Sequence, residues 1–98
     1  MQQIFVSIWR FEPGRRPQPA DKQEMMAWAD EQRDAGLLHG WGWGASPICN
    51  RAMAILTVSH MEEALELVLH APISRLSSPD LFEWESESVW ADSIRPSA

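Results

Sequence analysis

The sequence predicts an α+β domain in which the elements follow the order β-α-β-β-α-β, the order of a ferredoxin-like fold. Four segments are rich in apolar strand formers, and two stretches with apolar residues at helical spacing lie between them. This order gives one four-stranded antiparallel sheet with both helices on the same face. With 98 residues, 45% of them hydrophobic, the chain is predicted to form one domain over residues 1–98.

The first strand, predicted over residues 4–11, is apolar on both of its faces. Successive side chains of a strand point to opposite faces of the sheet. The apolar residues are therefore Ile4, Val6 and Ile8 on one face, and Phe5, Trp9 and Phe11 on the other. Two helices on one face cover only one of these two groups, so a second sheet, a partner subunit or a ligand must cover the other.

The first helix is predicted over residues 22–35. Asp21 and Glu24 have the spacing of a capping box, with Asp in place of the usual Ser or Thr. Gly36 is well placed to end the helix, because glycine readily adopts the left-handed conformation of a C-terminal cap. The apolar stripe that indicates the helix consists of Met25, Trp28 and Ala29.

The second strand is predicted over residues 37–44, where tryptophan and glycine alternate. Glycine is unfavourable inside strands, so the alternation indicates close packing or a bend. The third strand, over residues 52–58, is apolar on both faces. In the second strand the two predicted faces are Leu37, His39, Trp41 and Trp43 against Leu38, Gly40, Gly42 and Gly44.

The second helix follows Ser59 and Glu62, which have capping-box spacing, and Pro72 terminates it. The fourth strand is predicted from Leu81 to about Val89. The buried stripe expected for the helix is Met61, Ala64, Leu65 and Val68. In the fourth strand Leu81, Glu83 and Glu85 are expected on one face, with Phe82 and Trp84 on the helix-facing side.

Charge and cysteine content exclude several classes of protein. A net charge of −6 argues against a nucleic-acid partner, because nucleic-acid binders present a basic face. Cys49 is the single cysteine and the start of the chain does not look like a leader, which together indicate a cytoplasmic location. No stretch is long and apolar enough for a membrane span. The three histidines lack metal-ligand spacing, so no metal site is expected.

The uncovered apolar sheet face predicts a homodimer. Monomeric proteins rarely expose several large aromatic side chains in one patch. Two sheets that pack face to face would enclose an interior, and this interior is where a small apolar or aromatic substrate is expected to bind.

This layout resembles the dimeric α/β-barrel superfamily and, within it, muconolactone isomerase. The residues that carry the resemblance are the segments 58–65 (Val-Ser-His-Met-Glu-Glu-Ala-Leu), 70–73 (His-Ala-Pro-Ile) and 80–84 (Asp-Leu-Phe-Glu-Trp). The resemblance implies a ferredoxin-like dimer that carries out proton-transfer chemistry without a cofactor. The longer link before the last strand and the alternating second strand depart from the family pattern. Cofactor-free monooxygenases and polyketide cyclases share the scaffold.

Glu83 and His39 are the predicted catalytic residues. Glu83 is expected to face away from the helices, into a pocket walled by tryptophans, where lost solvation would raise the pKa of a carboxyl group towards the range of a general base. His39 could shuttle a proton or bind a substrate oxygen. The alternative is that the glutamates mark a solvated edge strand and His39 is structural.

Seven further residues are expected to bind the substrate. The aromatic members would supply flat apolar walls and indole N–H donors, and Ser7 a polar anchor. The alternative is that the aromatic side chains fill the interface between two sheets and leave no cavity. The predicted substrate-binding residues are Phe5, Ser7, Trp9, Trp41, Trp43, Ile55 and Glu85.

The sequence therefore supports two classes of function. The first is a small cofactor-independent isomerase or cyclase that acts by proton transfer on an apolar cyclic or aromatic metabolite, with an oxygen-dependent monooxygenase as a variant. The second is a non-catalytic dimer that binds a small molecule.

Overall fold

A computed structural model of the chain describes residues 2–44 and 50–85. The sheet has four antiparallel strands in the order β2-β3-β1-β4, with two helices on one face, so the predicted ferredoxin-like fold is confirmed. Single 3-10 turns cover Pro13–Arg15 and Pro72–Arg75. The main elements are β1 (Gln3–Arg10), α1 (Pro19–Asp34), β2 (Leu38–Trp43), β3 (Arg51–Val58), α2 (Met61–Leu69) and β4 (Asp80–Trp84). Cys49, and the part of the predicted fourth strand after residue 85, lie outside the described residues.

Helix α1 begins three residues earlier than predicted because its cap is Gln18 and not Asp21. The backbone N–H of Gln18 donates to the Asp21 carboxylate at 2.7 Å, which makes Asp21 the acidic partner inside the first turn of a capping box. Pro19 occupies the first helical position, where its missing N–H costs nothing. At the other end Gly36 has a φ of 78°, which confirms its predicted role after the helix.

Helix α2 differs from its prediction at the start and on its buried face. His60, and not Ser59, is the residue before the helix, and in this part of the described chain no side chain caps it, so the predicted Ser59–Glu62 capping box was wrong. Ala64 and Val68 are buried as expected. Met61 is 42% exposed and Leu65 43%, because a nine-residue helix that packs on one sheet buries only a narrow stripe.

A β-bulge in β2 changes which residues share a face. Leu38 pairs with Leu56 while Gly40 pairs with Ile55, and His39 is the extra residue between them. The bulge shifts the alternation by one position, so Leu38 joins Trp41 and Trp43 on the helix side of the sheet. Leu38 was predicted on the face opposite the two tryptophans, and that part of the prediction was wrong.

The core lies between the sheet and the helices, and the two faces of β1 are the reverse of the prediction. Phe5 and Trp9 are fully buried against helix residues such as Met25 and Val68. Trp28 was correctly predicted as core. Trp84 was predicted to face the helices, but it is 54% exposed on the opposite face. Alternation fixes which residues share a face, whereas the packing of the helices decides which face is covered.

A buried hydrogen-bond chain connects the centre of β1 to the link before β4. The indole N–H of Trp9 donates to Ser74 Oγ at 2.9 Å, and the Ser74 hydroxyl donates to the carbonyl of Val68 at 2.6 Å. Burying an indole N–H without a partner is unfavourable. The 3-10 turn at Pro72–Arg75 therefore places Ser74 where it satisfies the largest core side chain.

An arginine clamp connects the same turn to the start of α1. Arg75 Nη2 contacts Asp21 Oδ1 at 2.8 Å and Glu24 Oε2 at 2.7 Å. The hydrogen bond from Arg75, followed by the one from the Gln18 backbone, lowers the pKa of Asp21 below its usual value. Folding therefore favours the ionised form of Asp21.

Ser74→Ala should destabilise the protein, because the Trp9 indole N–H then loses its partner inside the core. We expect the free energy of unfolding in urea to fall by about 1–3 kcal/mol. Ser78→Ala, at an exposed position of the same link, is the control and should change it by less than about 0.5 kcal/mol. Equal stability of both variants would show that the hydrogen-bond chain contributes nothing.

Asp21→Asn should reduce the stability of the protein at neutral pH but not in strong acid. A carboxyl group whose pKa is lowered by folding stabilises the native state above its unfolded pKa of about 3.9, and this contribution disappears as the pH falls through the lower folded pKa. The free energies of unfolding of wild type and variant, measured as a function of pH, should therefore become equal below about pH 3. Glu31→Gln alters an exposed carboxylate on the same helix. Its free energy of unfolding should follow the pH dependence of wild type over the whole range.

Candidate functional site

The sheet face that points away from the helices, here called the open face, is largely apolar. Both helices pack on the other side, and no element within residues 2–44 and 50–85 covers this face of the sheet. Met53 is 45% exposed on it and Trp84 54%. From the strand register, the open face consists of Ile4, Val6, Ile8 and Arg10 of β1, Arg51, Met53, Ile55 and Thr57 of β3, Gly40 and Gly42 of β2, and Asp80, Phe82 and Trp84 of β4.

A concavity of about 520 Å³, here called the glycine trough, runs along β2 and β3 on the open face. Its volume is in the range of small-molecule sites. Gly40 and Gly42 leave the β2 side of the trough without side chains, while Met53 and Ile55 of β3 stand beside them. The other lining residues are Ile8, Arg10, Trp41, Trp43, Gly44, Arg51 and Ala52.

The packing of the described residues does not require the glycine at position 42. None of their atoms lies within 4 Å of the place where a Cβ of residue 42 would stand, and among them a Cβ at Gly40 would meet only Ile55 Cδ1, at 3.9 Å. Gly44 is different, since its Cβ would come within 3.2 Å of Arg51 Cβ. Of the glycines of this strand segment, only Gly44 shows the close packing expected from the sequence. Glycine inside a strand reduces stability by about 0.5–1 kcal/mol relative to alanine. Gly42 thus leaves space that the protomer does not fill.

Charged residues close one end of the trough. Arg10 and Arg51 are directly opposite each other in the β1–β3 ladder, and the Arg10 guanidinium forms an ion pair with Asp80 of β4. Both partners of that pair are more than half exposed. Arg10 and Arg51 line this end of the trough, and the Asp80 carboxylate lies beside it, in contact with Arg10.

Three of the predicted substrate-binding residues line the glycine trough. Ile55 lies on the open face, and Trp41 and Trp43 border the trough while their rings lie on the helix side of β2. The two rings meet edge to face with centroids 5.3 Å apart, and Lys22 Nζ lies 5.6 Å from the centroid of Trp43. Their function there is to hold the edge strand against α1.

Phe5, Ser7 and Trp9 lie in the core and not in a cavity, so their predicted position on the uncovered face was wrong. All three are at most 1% exposed on the helix side of β1. The Ser7 hydroxyl is buried, and among the described residues it has no hydrogen-bond partner. It cannot reach a ligand on the open face, because the sheet lies between them.

The structure does not bring the two predicted catalytic residues together. Glu83 is paired with Phe5, so it lies on the helix side of edge strand β4, exposed, and its predicted orientation away from the helices was wrong. His39 lies in the bulge of the opposite edge strand, beside Asp30 and Arg33. Three strand spacings, about 14 Å in total, separate these two edges. Glu85 follows β4 and is exposed.

Arg10, Arg51 and Asp80 are not among the site residues predicted from the sequence. The pattern that could have indicated them is that charged residues occupy one end of three strands whose other residues are mostly apolar. Within residues 2–44 and 50–85, no three His, Cys, Asp or Glu side chains are grouped closely enough to hold a metal ion. None of the helices in these ranges is long and apolar enough to cross a membrane.

Comparison with known proteins shows the fold. No family model matches the chain, and no curated protein does. The chain is similar in structure to 5-chloro-2-hydroxyhydroquinone dehydrochlorinase from Burkholderia phenoliruptrix, solved in complex with 2,5-dihydroxybenzoquinone. The TM-score is 0.71 at 13% sequence identity, over 88% of this chain and 97% of the other. At this identity the similarity establishes a shared ferredoxin-like architecture.

Gly42→Ala should leave the stability of the protein unchanged or raise it by up to about 1 kcal/mol, because the new methyl group meets no atom of residues 2–44 and 50–85. Gly44→Ala is the matched variant, and its close approach to Arg51 should lower stability. Urea unfolding at one fixed protein concentration measures both. A marked loss of stability in Gly42→Ala would show that folding itself requires this glycine.

Proposed function

We propose that the protein is a homodimer whose open faces cover each other, and that it is a small cofactor-independent enzyme acting on an aromatic metabolite bound in the glycine trough. The observation that carries the proposal is the glycine at position 42, which leaves room on an apolar face although no atom of the described residues comes within 4 Å of a Cβ placed there. The cytoplasmic location expected from the sequence is part of the same proposal.

The composition of the open face supports the proposed dimer. Patches of several large apolar side chains are rare on monomeric proteins, and here they extend from Met53 and Ile55 on β3 to Phe82 and Trp84 on β4. A second copy of the same face is a suitable cover, because apolar surface would meet apolar surface around a two-fold axis. The glycine trough would then become an enclosed site between two sheets, as in a dimeric α/β barrel.

An aromatic ligand suits this site. The peptide groups of Gly40 and Gly42 form a floor without side chains, and Ile8, Met53 and Ile55 supply apolar contacts. The similar dehydrochlorinase is described in complex with 2,5-dihydroxybenzoquinone, a flat ring of a size that the trough accommodates. Ile55 is the residue of the sequence prediction that we retain as a direct contact of this ligand.

The charged end of the trough suits proton transfer next to a carbonyl group. A carboxylate takes a proton from a carbon beside the carbonyl, the electron pair moves onto oxygen, and a guanidinium stabilises that oxyanion until the proton returns to another carbon. Nothing is oxidised or reduced, so the step needs no cofactor. We assign the carboxylate to Asp80 and the guanidinium to Arg10, since Glu83 and His39 lie off the open face. The reaction would be an isomerisation of the muconolactone isomerase kind, or a cyclisation.

A non-catalytic binding protein is the second candidate. Asp80, the carboxylate assigned as the base, is more than half exposed and is already paired with Arg10. The two side chains predicted to be catalytic lie at opposite edges of the sheet. A dimer that only binds its ligand requires neither of them.

Met53→Glu should convert the dimer into monomers, because a charge would be buried at the centre of the interface. Met26→Glu is a matched control: Met26 is 55% exposed on α1, against 45% for Met53 on the open face, and it should remain dimeric. Sedimentation velocity at micromolar concentration separates the two outcomes. A wild-type protein that sediments as a monomer would contradict the proposed dimer.

Asp80→Asn should abolish proton transfer while Glu83→Gln should not. The substrate probe is 2,5-dihydroxybenzoquinone. In its keto tautomer a ring carbon that has taken up a deuteron from solvent is sp3 and lies between two carbonyl groups, so the carboxylate can remove its proton. Proton NMR follows this exchange above the uncatalysed rate. We expect Asp80→Asn to slow exchange by about 100-fold or more, and Glu83→Gln to remain within about threefold of wild type because it changes a group off the open face. Binding of the probe without any acceleration would favour the non-catalytic protein.

A further inference from the structure

We infer that the glycine trough is completed by the partner subunit, with the partner's Phe82 over Gly40 and the partner's Asp80 over Gly42. This inference deepens the proposed function and rests on it, because it requires the proposed dimer of open faces. It decides which copy of the chain supplies the carboxylate of the site.

Two rows of paired residues cross the middle of the open face, and each row runs from a glycine of β2 to a residue of β4. Neighbouring strands lie about 4.8 Å apart, so about 14 Å separates the two ends of a row. Asp80 is therefore remote from Gly42 of its own chain, and it does not line the trough. The first row is Gly40, Ile55, Val6 and Phe82, and the second is Gly42, Met53, Ile8 and Asp80.

The two edges of the open face have opposite shapes. On β4, Phe82 is 38% exposed and Trp84 54%, so this edge protrudes. On β2, Gly40 and Gly42 present only backbone to the same face, and the trough runs beside them. In a two-fold dimer the same surface serves both copies, so a protruding edge is buried best when it lies over the hollow edge of the partner.

This shape selects the direction of the two-fold axis. Two sheets that pack face to face with aligned strands are related by an axis that runs either along the strands or across them. An axis along the strands, between β3 and β1, places each row over the same row of the partner in reverse order. Phe82 then lies over the partner's Gly40, and Asp80 over the partner's Gly42. An axis across the strands places β2 on β2 and β4 on β4, so that hollow meets hollow and bulk meets bulk.

The charged end of the open face favours the same axis. Arg10 and Ile4 lie at opposite ends of β1. An axis across the strands would bury Arg10 against the partner's Ile4, and burying a charge against an apolar side chain is costly. An axis along the strands keeps the charged ends of both copies together at one rim of the dimer. In the protomer the Arg10–Asp80 ion pair at this rim is more than half exposed, and repulsion between like charges is weak where water surrounds them.

A site formed in this way has walls from both copies. The floor is the backbone of Gly40 and Gly42, the partner's Phe82 closes one end, and the partner's Asp80 faces a ring that lies over Gly42. Sheets that pack face to face are about 10 Å apart, which leaves room for one flat ring between this floor and the partner's side chains. A side chain at either glycine would occupy that room, which gives a physical reason for the space that the protomer leaves.

The test of the shared site mixes two variants that are each inactive, Asp80→Asn and Gly42→Leu. The leucine fills the trough of its own copy, whereas the asparagine removes the base that serves the partner's trough. A mixed dimer therefore has one open trough that faces one intact carboxylate. After joint unfolding in urea and refolding, the mixture should recover about a quarter of the wild-type rate of ring-proton exchange on 2,5-dihydroxybenzoquinone, because half of the dimers are mixed and each has one complete site.

The control mixes Asp80→Asn with the double variant Asp80→Asn/Gly42→Leu. No copy in this mixture supplies the carboxylate, so it should stay inactive. Circular dichroism checks the fold of each variant, and sedimentation velocity checks that the refolded mixtures contain dimers.

A second test does not depend on activity. Gly40→Phe should weaken the dimer about tenfold or more, because the new ring meets the partner's Phe82. Adding Phe82→Ala to this variant swaps the large and the small side chain and should restore most of the affinity. The fold tolerates the first change, since among the described residues a Cβ at Gly40 meets only Ile55 Cδ1, at 3.9 Å. Sedimentation equilibrium measures the dissociation constants of both variants and of wild type.

The outcomes separate the inference from the proposed function. If wild type exchanges ring protons and the first mixture stays inactive, each copy uses its own Asp80 and only the inference fails. If wild type is a dimer without activity, the proposed enzyme fails, and the swap at positions 40 and 82 decides the inference. Equal dissociation constants for Gly40→Phe and the swapped variant would overturn it. A monomeric wild type, with residues 86–98 or a ligand on the open face, would contradict the dimer and the inference together.

Discussion

The structure depends on one constraint: a sheet that is apolar on both faces has helices on only one of them. Helices α1 and α2 bury Phe5, Trp9 and the small residues of β3, while Met53, Phe82 and Trp84 remain outside. Removing such side chains from water is the largest favourable term available to a chain of this size. The same constraint that stabilises the protomer therefore provides the surface on which we propose a partner and a ligand.

The two faces of the sheet are built from different residues for different purposes. The helix side is tightly packed, and the Trp9 indole N–H is satisfied there through Ser74 and the Val68 carbonyl, whereas the buried Ser7 hydroxyl has no partner among the described residues. On the open face, glycine occupies a position where the described residues leave room for a larger side chain, and charged side chains lie at one end. Tight packing is typical of a core, whereas unfilled space lined by both apolar and charged side chains is typical of a binding site.

The similar dehydrochlorinase illustrates how little a shared architecture says about chemistry. Its fold matches over most of both chains, yet 13% identity leaves the residues of the site to be argued from this chain alone. In this chain the candidate reactive groups are Arg10 and Asp80, which are in contact beside the trough, and not Glu83 and His39. An exposed edge-strand carboxylate and a histidine in a bulge are unsuited to a shared reaction centre, because the width of the sheet separates them.

The fold class, the order of the elements and their approximate limits could be predicted from the sequence. Hydrophobic periodicity, a helix cap such as Gly36 and a helix breaker such as Pro72 depend only on neighbouring residues in the chain. The sequence also determined which residues of β1 share a face, since alternation is a property of the strand alone. Only the tertiary structure decided which of those faces the helices cover. It also revealed the bulge at His39, which depends on pairing with β3, and the meeting of Arg10, Arg51 and Asp80, which lie far apart in the chain. These are non-local contacts, and no short segment of sequence encodes them.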